Sequence, residues 1–258
     1  MEKEIVKRFE DLTLQDDFMF CKVMQNPKLC KKLIEIILSD TIGKIAYVSV
    51  QHNISTYEQA KSIRFDVLVQ TEDGKFYDVE MQVSNERNIP KRMRFYQAAM
   101  DISFLDKGNS YNALNDSFII FICTFDAIGK KRPVYTFENL CIEDKNVSLQ
   151  DGTKKIIINA TAFENTEDKE LKDFLEYLKT GKTTNEFTRR IEEMIQTIKN
   201  NEQARQEYRL MSTFEMDARD KGAHDKAIET AKLMKKRGYP MSEILIMTGL
   251  SEAEIEKL

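Results

Sequence analysis

Three residues are placed to do chemistry together: Asp66, Glu80 and Gln82. They fall in residues 61–83, KSIRFDVLVQTEDGKFYDVEMQV. There Ile63, Phe65, Val67 and Val69 alternate with Arg64, Asp66, Leu68 and Gln70, and Tyr77, Val79, Met81 and Val83 alternate with Phe76, Asp78, Glu80 and Gln82. Alternation of this kind is the period of a β-strand. Glu72-Asp73-Gly74-Lys75 between the runs supplies an Asp-Gly turn, so the stretch is a predicted β-hairpin. Glu80 and Gln82 then share one face while Met81 points away, and an antiparallel partner can set Asp66 beside Glu80. Two carboxylates and an amide converging on one spot are the minimum for holding a hard divalent cation such as Mg²⁺ through oxygen. The same alternation also describes a half-solvated hairpin with its charges on the wet face, and the pattern alone leaves both readings open.

The order Asp66, thirteen intervening residues, then Glu80-Met81-Gln82 resembles the PD-(D/E)XK nuclease core, in its variant with Gln in place of the motif Lys. The surrounding sequence is similar to the PD-(D/E)XK nuclease family transposases, also described as recombination-promoting nucleases, which are bacterial. The resemblance implies that Asp66, Glu80 and the backbone carbonyl of Met81 hold one or two Mg²⁺ or Mn²⁺ ions. It also makes Glu35, on a predicted helix, a candidate extra ligand, against a reading in which Glu35 turns to solvent. Gln82 would act in catalysis by orienting water, because an amide is neither a cation nor a base. The implied activity is metal-dependent endonucleolytic cleavage of DNA, in recombination, mobile-element or defence biology. The rival class is an inactive nuclease-fold protein that holds DNA or another protein.

Elements around the hairpin have to position these groups. Asp17 to Met24 reads as a short helix, Asn26-Pro27 interrupts it, and Lys28 to Leu38 forms a second with Leu29, Leu33, Ile36 and Ile37 as its apolar face. This opening is similar to the family's D-x-x-F stretch and leucine-rich helix. Residues 44–51 alternate as a strand, and Pro90 opens a helix from Lys91 to about Leu105. That helix carries the densest basic cluster, Lys91, Arg92 and Arg94, interleaved with Tyr96. It is either a grip for DNA phosphates or a solvated helix end whose apolar residues pack on the sheet. Family resemblance favours the grip for Arg92 and Tyr96, and Gln97 is a further residue able to face the site. Residues 116–123 form an apolar strand suited to cover on both faces, and short alternating runs within 130–159 add one or two more. The expected fold class is thus α/β, a restriction-endonuclease-like αβββαβ core with a mixed sheet over about residues 1–165.

Residues 166–258 are expected to form a helical extension. Ile191, Met194, Ile195 and Ile198 make a narrow stripe on long charged helices, and Ile244, Leu245, Ile255 and Leu258 mark the tail. Both sets are candidates for a homodimer contact through the C-terminal helices or for packing on their own chain. Ser251 and Glu254 predict a capping box in a small helix-turn-helix-like tail. Its glutamates would repel phosphate, which suits a protein contact better than DNA.

Composition narrows the classes. In 258 residues, 41% hydrophobic and 32% charged describe a globular chain. No window offers a membrane span, and Met1-Glu2-Lys3-Glu4 opens without a secretory signal, so a cytoplasmic protein is expected. A net charge of −4 gives no general basic surface, so DNA contacts must be local. His52 and His224 are the only histidines, too few for histidine-based nucleases or three-histidine zinc hydrolases. Cys21, Cys30, Cys123 and Cys141 show no zinc or disulfide spacing. Gly181-Lys182-Thr183 lacks the upstream glycine and strand of a phosphate loop, so no nucleotide cofactor is expected.

Overall fold

The computed structural model describes residues 7–54 and 63–258. Lys61 and Ser62 at the head of the hairpin stretch, and the opening Met1-Glu2-Lys3-Glu4, lie outside the described residues. Two compact units are present: Glu10–Asn200, and Met1–Phe9 with Asn201–Leu258.

The first unit is built on six strands, β1 (Ile45–Ile54), β2 (Ile63–Thr71), β3 (Phe76–Gln82), β4 (Ser117–Cys123), β5 (Val134–Phe137) and β6 (Thr153–Asn159), in the order β1-β2-β3-β4-β6-β5. The first three strands are antiparallel neighbours, β3-β4 and β4-β6 are parallel, and β5 returns antiparallel at the edge. Asp73-Gly74 closes the β2-β3 hairpin as expected. Gly74 takes φ +84°, a backbone region that a Cβ disfavours, and its N–H donates to the Thr71 carbonyl at 2.9 Å.

Helices α1 (Asp17–Met24), α2 (Pro27–Leu38), α4 (Lys169–Thr180) and α5 (Glu186–Lys199) pack on one another, α1 also meets β1 and β2, and α2 meets β1. Asn26 caps α2, accepting from the N–H groups of Lys28 and Leu29, with Pro27 in the first turn where a missing N–H is harmless. Helix α3 (Ile89–Phe104) joins β3 to β4, and Met93, Ala99 and Met100 pack with Phe65, Leu68, Phe76, Ile119 and Phe121. The αβββαβ order with a mixed sheet is therefore present. Ile120 and Ile122, which alternate with Ile119 and Phe121, are fully buried as well, so β4 is covered on both faces.

The first compact unit runs to Asn200, so α4 and α5 belong to it. Ile191, Ile195 and Ile198 are buried in that unit. The second unit holds α6 (Glu202–Lys236), α7 (Met241–Thr248) and α8 (Glu252–Glu256). Ile244 and Ile255 are buried there with Ala231 and Leu250, and Leu245 and Leu258 pack against them. Both apolar sets proposed for a two-fold contact are thus largely used within their own units. The Ser251–Glu254 capping box forms. Among the described residues, no helix is long and apolar enough to cross a membrane.

Candidate metal centre

The β2-β3 register brings Asp66 and Glu80 together. The ladder pairs Val67 with Val79 and Leu68 with Asp78, so its next step sets Asp66 opposite Glu80. At that point side chains take over from the backbone ladder. The Asp66 N–H donates to Glu80 Oε1 at 2.8 Å, and the Met81 N–H donates to Asp66 Oδ2 at 3.1 Å. Each carboxylate is therefore fixed by the main chain of the opposite strand. Because the N–H and C=O of one strand residue turn to the same side, the Met81 carbonyl turns toward β2, where Asp66 lies.

Helix α1 contributes the next acid. Asp17, Cys21 and Asp66 each offer a ligand atom within 4.8 Å of the others. Arg64 Nη2 holds Asp17 Oδ2 at 2.8 Å. Glu35 is not part of this group. Its Oε1 pairs with Lys31 at 3.1 Å and accepts from the Ile42 N–H at 3.3 Å, so it closes the turn after α2. The helix-borne acid beside Asp66 is Asp17, which opens α1 immediately before the buried run that docks on β2.

Helix α3 contributes the cation. Arg92 Nη1 donates to Gln82 Oε1 at 2.6 Å, and Nη2 lies 3.4 Å from Glu80 Oε2 and 3.2 Å from the Tyr96 hydroxyl. The guanidinium also stands 5.2 Å from the Phe121 ring centre and 5.5 Å from that of Tyr96, within cation–π range. Tyr96 in turn packs edge-on against Phe65 and Phe121. Arg92 thus faces inward, whereas Lys91 and Arg94 are exposed and have no side-chain partner among the described residues. Gln97 belongs elsewhere: it donates to Asp101 and Ser117, and Ser117 lies four residues along β4 from the strand position paired with Glu80.

One acid went unrecognised in the sequence. Asp78 shares the face of Glu80 and Gln82, is fully buried, and its side-chain oxygens meet no N–H or hydroxyl donor; the one polar group beside it is the Glu80 carboxyl. Burial, then the charges of Glu80 and Asp66, drive its carboxyl well above the usual range. Burial, then Glu80 and Asp17, do the same to Asp66. Burial also pushes Glu80 up to about 7, although the Asp66 N–H and the Arg92 charge pull the other way. For Arg92, burial is outweighed by the Tyr96 hydrogen bond and the Glu80 charge, and it stays cationic.

The donor set fits a hard cation. Four carboxyls, Asp17, Asp66, Asp78 and Glu80, meet two guanidinium groups, so full ionisation leaves an excess of negative charge that a divalent ion would offset. Burial, then Asp17 and Asp66, push the Cys21 thiol far up, which keeps it protonated and unsuited to ligate a soft metal.

A mixed sheet with carboxylates fixed across neighbouring strands, flanked by an acid from the first helix and a cation from the crossover helix, defines a nuclease-fold protein. The chain belongs to the PD-(D/E)XK nuclease family transposases, whose family model matches residues 14–235. Neither a curated protein nor a solved structure matches it.

Proposed function

We propose that the protein is a metal-dependent DNA endonuclease of the bacterial cytoplasm, acting in recombination, mobile-element or defence biology. The observation that carries this reading is the reciprocal fixing of Asp66 and Glu80 across β2 and β3, with Asp17 beside Asp66. Asp66, Glu80 and the Met81 carbonyl would hold Mg²⁺ or Mn²⁺, with Asp17 as a further ligand. The chemistry such an ion supplies is Lewis acidity toward phosphate and a lowered pKa for water.

The remaining work falls to side chains. Gln82 orients water through its amide, and Arg92 provides the positive charge that the strand motif lacks. With Glu80 committed to a cation, Arg92 would be the side chain left to take up charge developing on a phosphate oxygen. Lys91 and Arg94, exposed on α3, contact flanking phosphates and set the position of the strand to be cut.

The test is cleavage of supercoiled plasmid in Mg²⁺ or Mn²⁺ against a chelator control, with Asp66→Asn and Glu80→Gln. Both variants keep an oxygen acceptor for the main-chain N–H and so preserve the fold. Cleavage is expected to need metal and to vanish in each variant; cleavage in chelator, or by the double variant, overturns the reading. The Arg92–Glu80 ion pair specifically favours a second reading, an inactive module whose cation has replaced the metal. DNA binding in chelator with no cleavage in either metal would decide for it.

A further inference from the structure

A cleft of about 490 Å³ opens in the first unit between α2 and the opening turns of α4 and α5, and it shares no lining residue with the carboxylate site. Its volume falls in the roughly 300–1,000 Å³ range of small-molecule sites. Leu29 and Phe187 give it an apolar lining, both buried. Asp173 also lines it and is only 8% exposed, yet it has no hydrogen-bond or ion-pair partner among the described residues. Unlike those of Asp78, its oxygens keep some accessible surface, and the residue lines the cleft. A buried carboxylate is an acceptor that the fold normally satisfies, and here the open side is the cleft.

The rim has the opposite character. Lys28 and Lys169 line it, with no side-chain partner among the described residues. The first-turn N–H groups of α4 and α5 add to this. Asp168 and Asn185 cap Leu171 and Thr188, leaving the N–H groups of Lys169, Glu170, Glu186 and Phe187 without intrahelical acceptors. Glu170 and Glu186 do not cancel this field, because Lys32 holds the first at 2.7 Å and Arg190 the second at 2.8 Å.

A ligand for this cleft therefore needs paired N–H donors for Asp173, a flat body for Leu29 and Phe187, and an anionic group for the rim. We propose that it binds a guanine mononucleotide. Guanine presents N1–H and N2–H side by side, matching the two oxygens of a carboxylate, whereas adenine offers a single exocyclic donor beside an acceptor. The phosphate then reaches Lys28 and Lys169. No glycine-rich loop is required, since side chains and helix starts supply the positive field.

The test is equilibrium titration of the full chain in chelator, so that no metal bridges the ligand to Asp66 or Glu80. GMP is expected to bind at least about tenfold tighter than AMP, in line with charge-assisted hydrogen bonds. Asp173→Asn should weaken GMP roughly 10- to 100-fold and shift preference toward xanthosine monophosphate, whose C2 oxygen can accept from the new amide. A merely structural role for Asp173 would not produce that exchange. Lys169→Glu, at an exposed position, should weaken GMP while leaving guanosine unchanged. Absence of GMP binding at millimolar concentration, or equal binding of GMP and AMP, overturns the proposal without help from any variant.

Discussion

Replacing Asp78 by valine should stabilise the metal-free protein. Its carboxyl is fully buried between Leu68, its cross-strand partner, and Ile119, its neighbour on β4, in a cluster completed by Phe76 and Met93. Burial, then the charges of Glu80 and Asp66, drive that carboxyl well above its ordinary range, and its oxygens meet no N–H or hydroxyl donor; the one polar group beside it is the Glu80 carboxyl. With one oxygen turned to the Glu80 carboxyl, one unmet buried polar atom remains, at a cost of about 1–3 kcal/mol, and fitting valine's extra bulk takes back about 1 kcal/mol. The net gain is at most about 2 kcal/mol, or a rise of up to roughly 8 °C in Tm for a unit of this size. Asp78→Asn is the matched control: it retains the unmet polar atoms and should melt near wild type. Calorimetry in chelator reads both. A valine variant that melts at or below wild type would refute the reasoning, since it would mean that the carboxyl is satisfied in solution.

In chelator, stability should fall as pH rises from about 5 to about 8. Folded Glu80 keeps its proton up to about 7 while the unfolded chain releases it near 4.5, so the folded state binds the extra proton only between those values and loses that advantage as pH climbs. Glu80's share of the loss is at most about 3 kcal/mol; Glu80→Gln should remove that share and leave the part due to the raised Asp66 and Asp78 carboxyls, and thermal melts across pH check both. Glu80→Ala should destabilise by about 1–3 kcal/mol by leaving the buried Asp66 N–H unpaired, which urea denaturation against Glu80→Gln measures. A chain ending at Asn200 should fold, whereas one ending at Thr184 loses buried Phe187, Ile191 and Ile195. At roughly 2 kcal/mol each, that is about 6 kcal/mol, comparable to a whole domain's stability, and circular dichroism separates the two outcomes.

What the sequence reveals here follows from how local each signal is. The hairpin and the meeting of Asp66 with Glu80 were legible because one turn fixes the register, and register fixes which side chains oppose. Asp78 was not, although it lies in the same alternation. Polar residues at every second position look like a solvated face, and only the packing of α3 over β3 and β4 makes that face interior. The same packing turns Arg92 inward to Gln82 and Glu80 while Lys91 and Arg94 stay outside, a distinction of helix phase that a basic cluster does not contain. Asp17 and Glu35 both stand on predicted helices, and periodicity cannot tell which helix end abuts β2. Cys21 carries the hint in retrospect: one turn after Asp17, it is buried and donates to the Asp66 carbonyl, so α1 meets the hairpin through that face. The site is therefore a product of two scales, strand register for the carboxylates and helix docking for Asp17 and Arg92, and only the first is written in neighbouring residues.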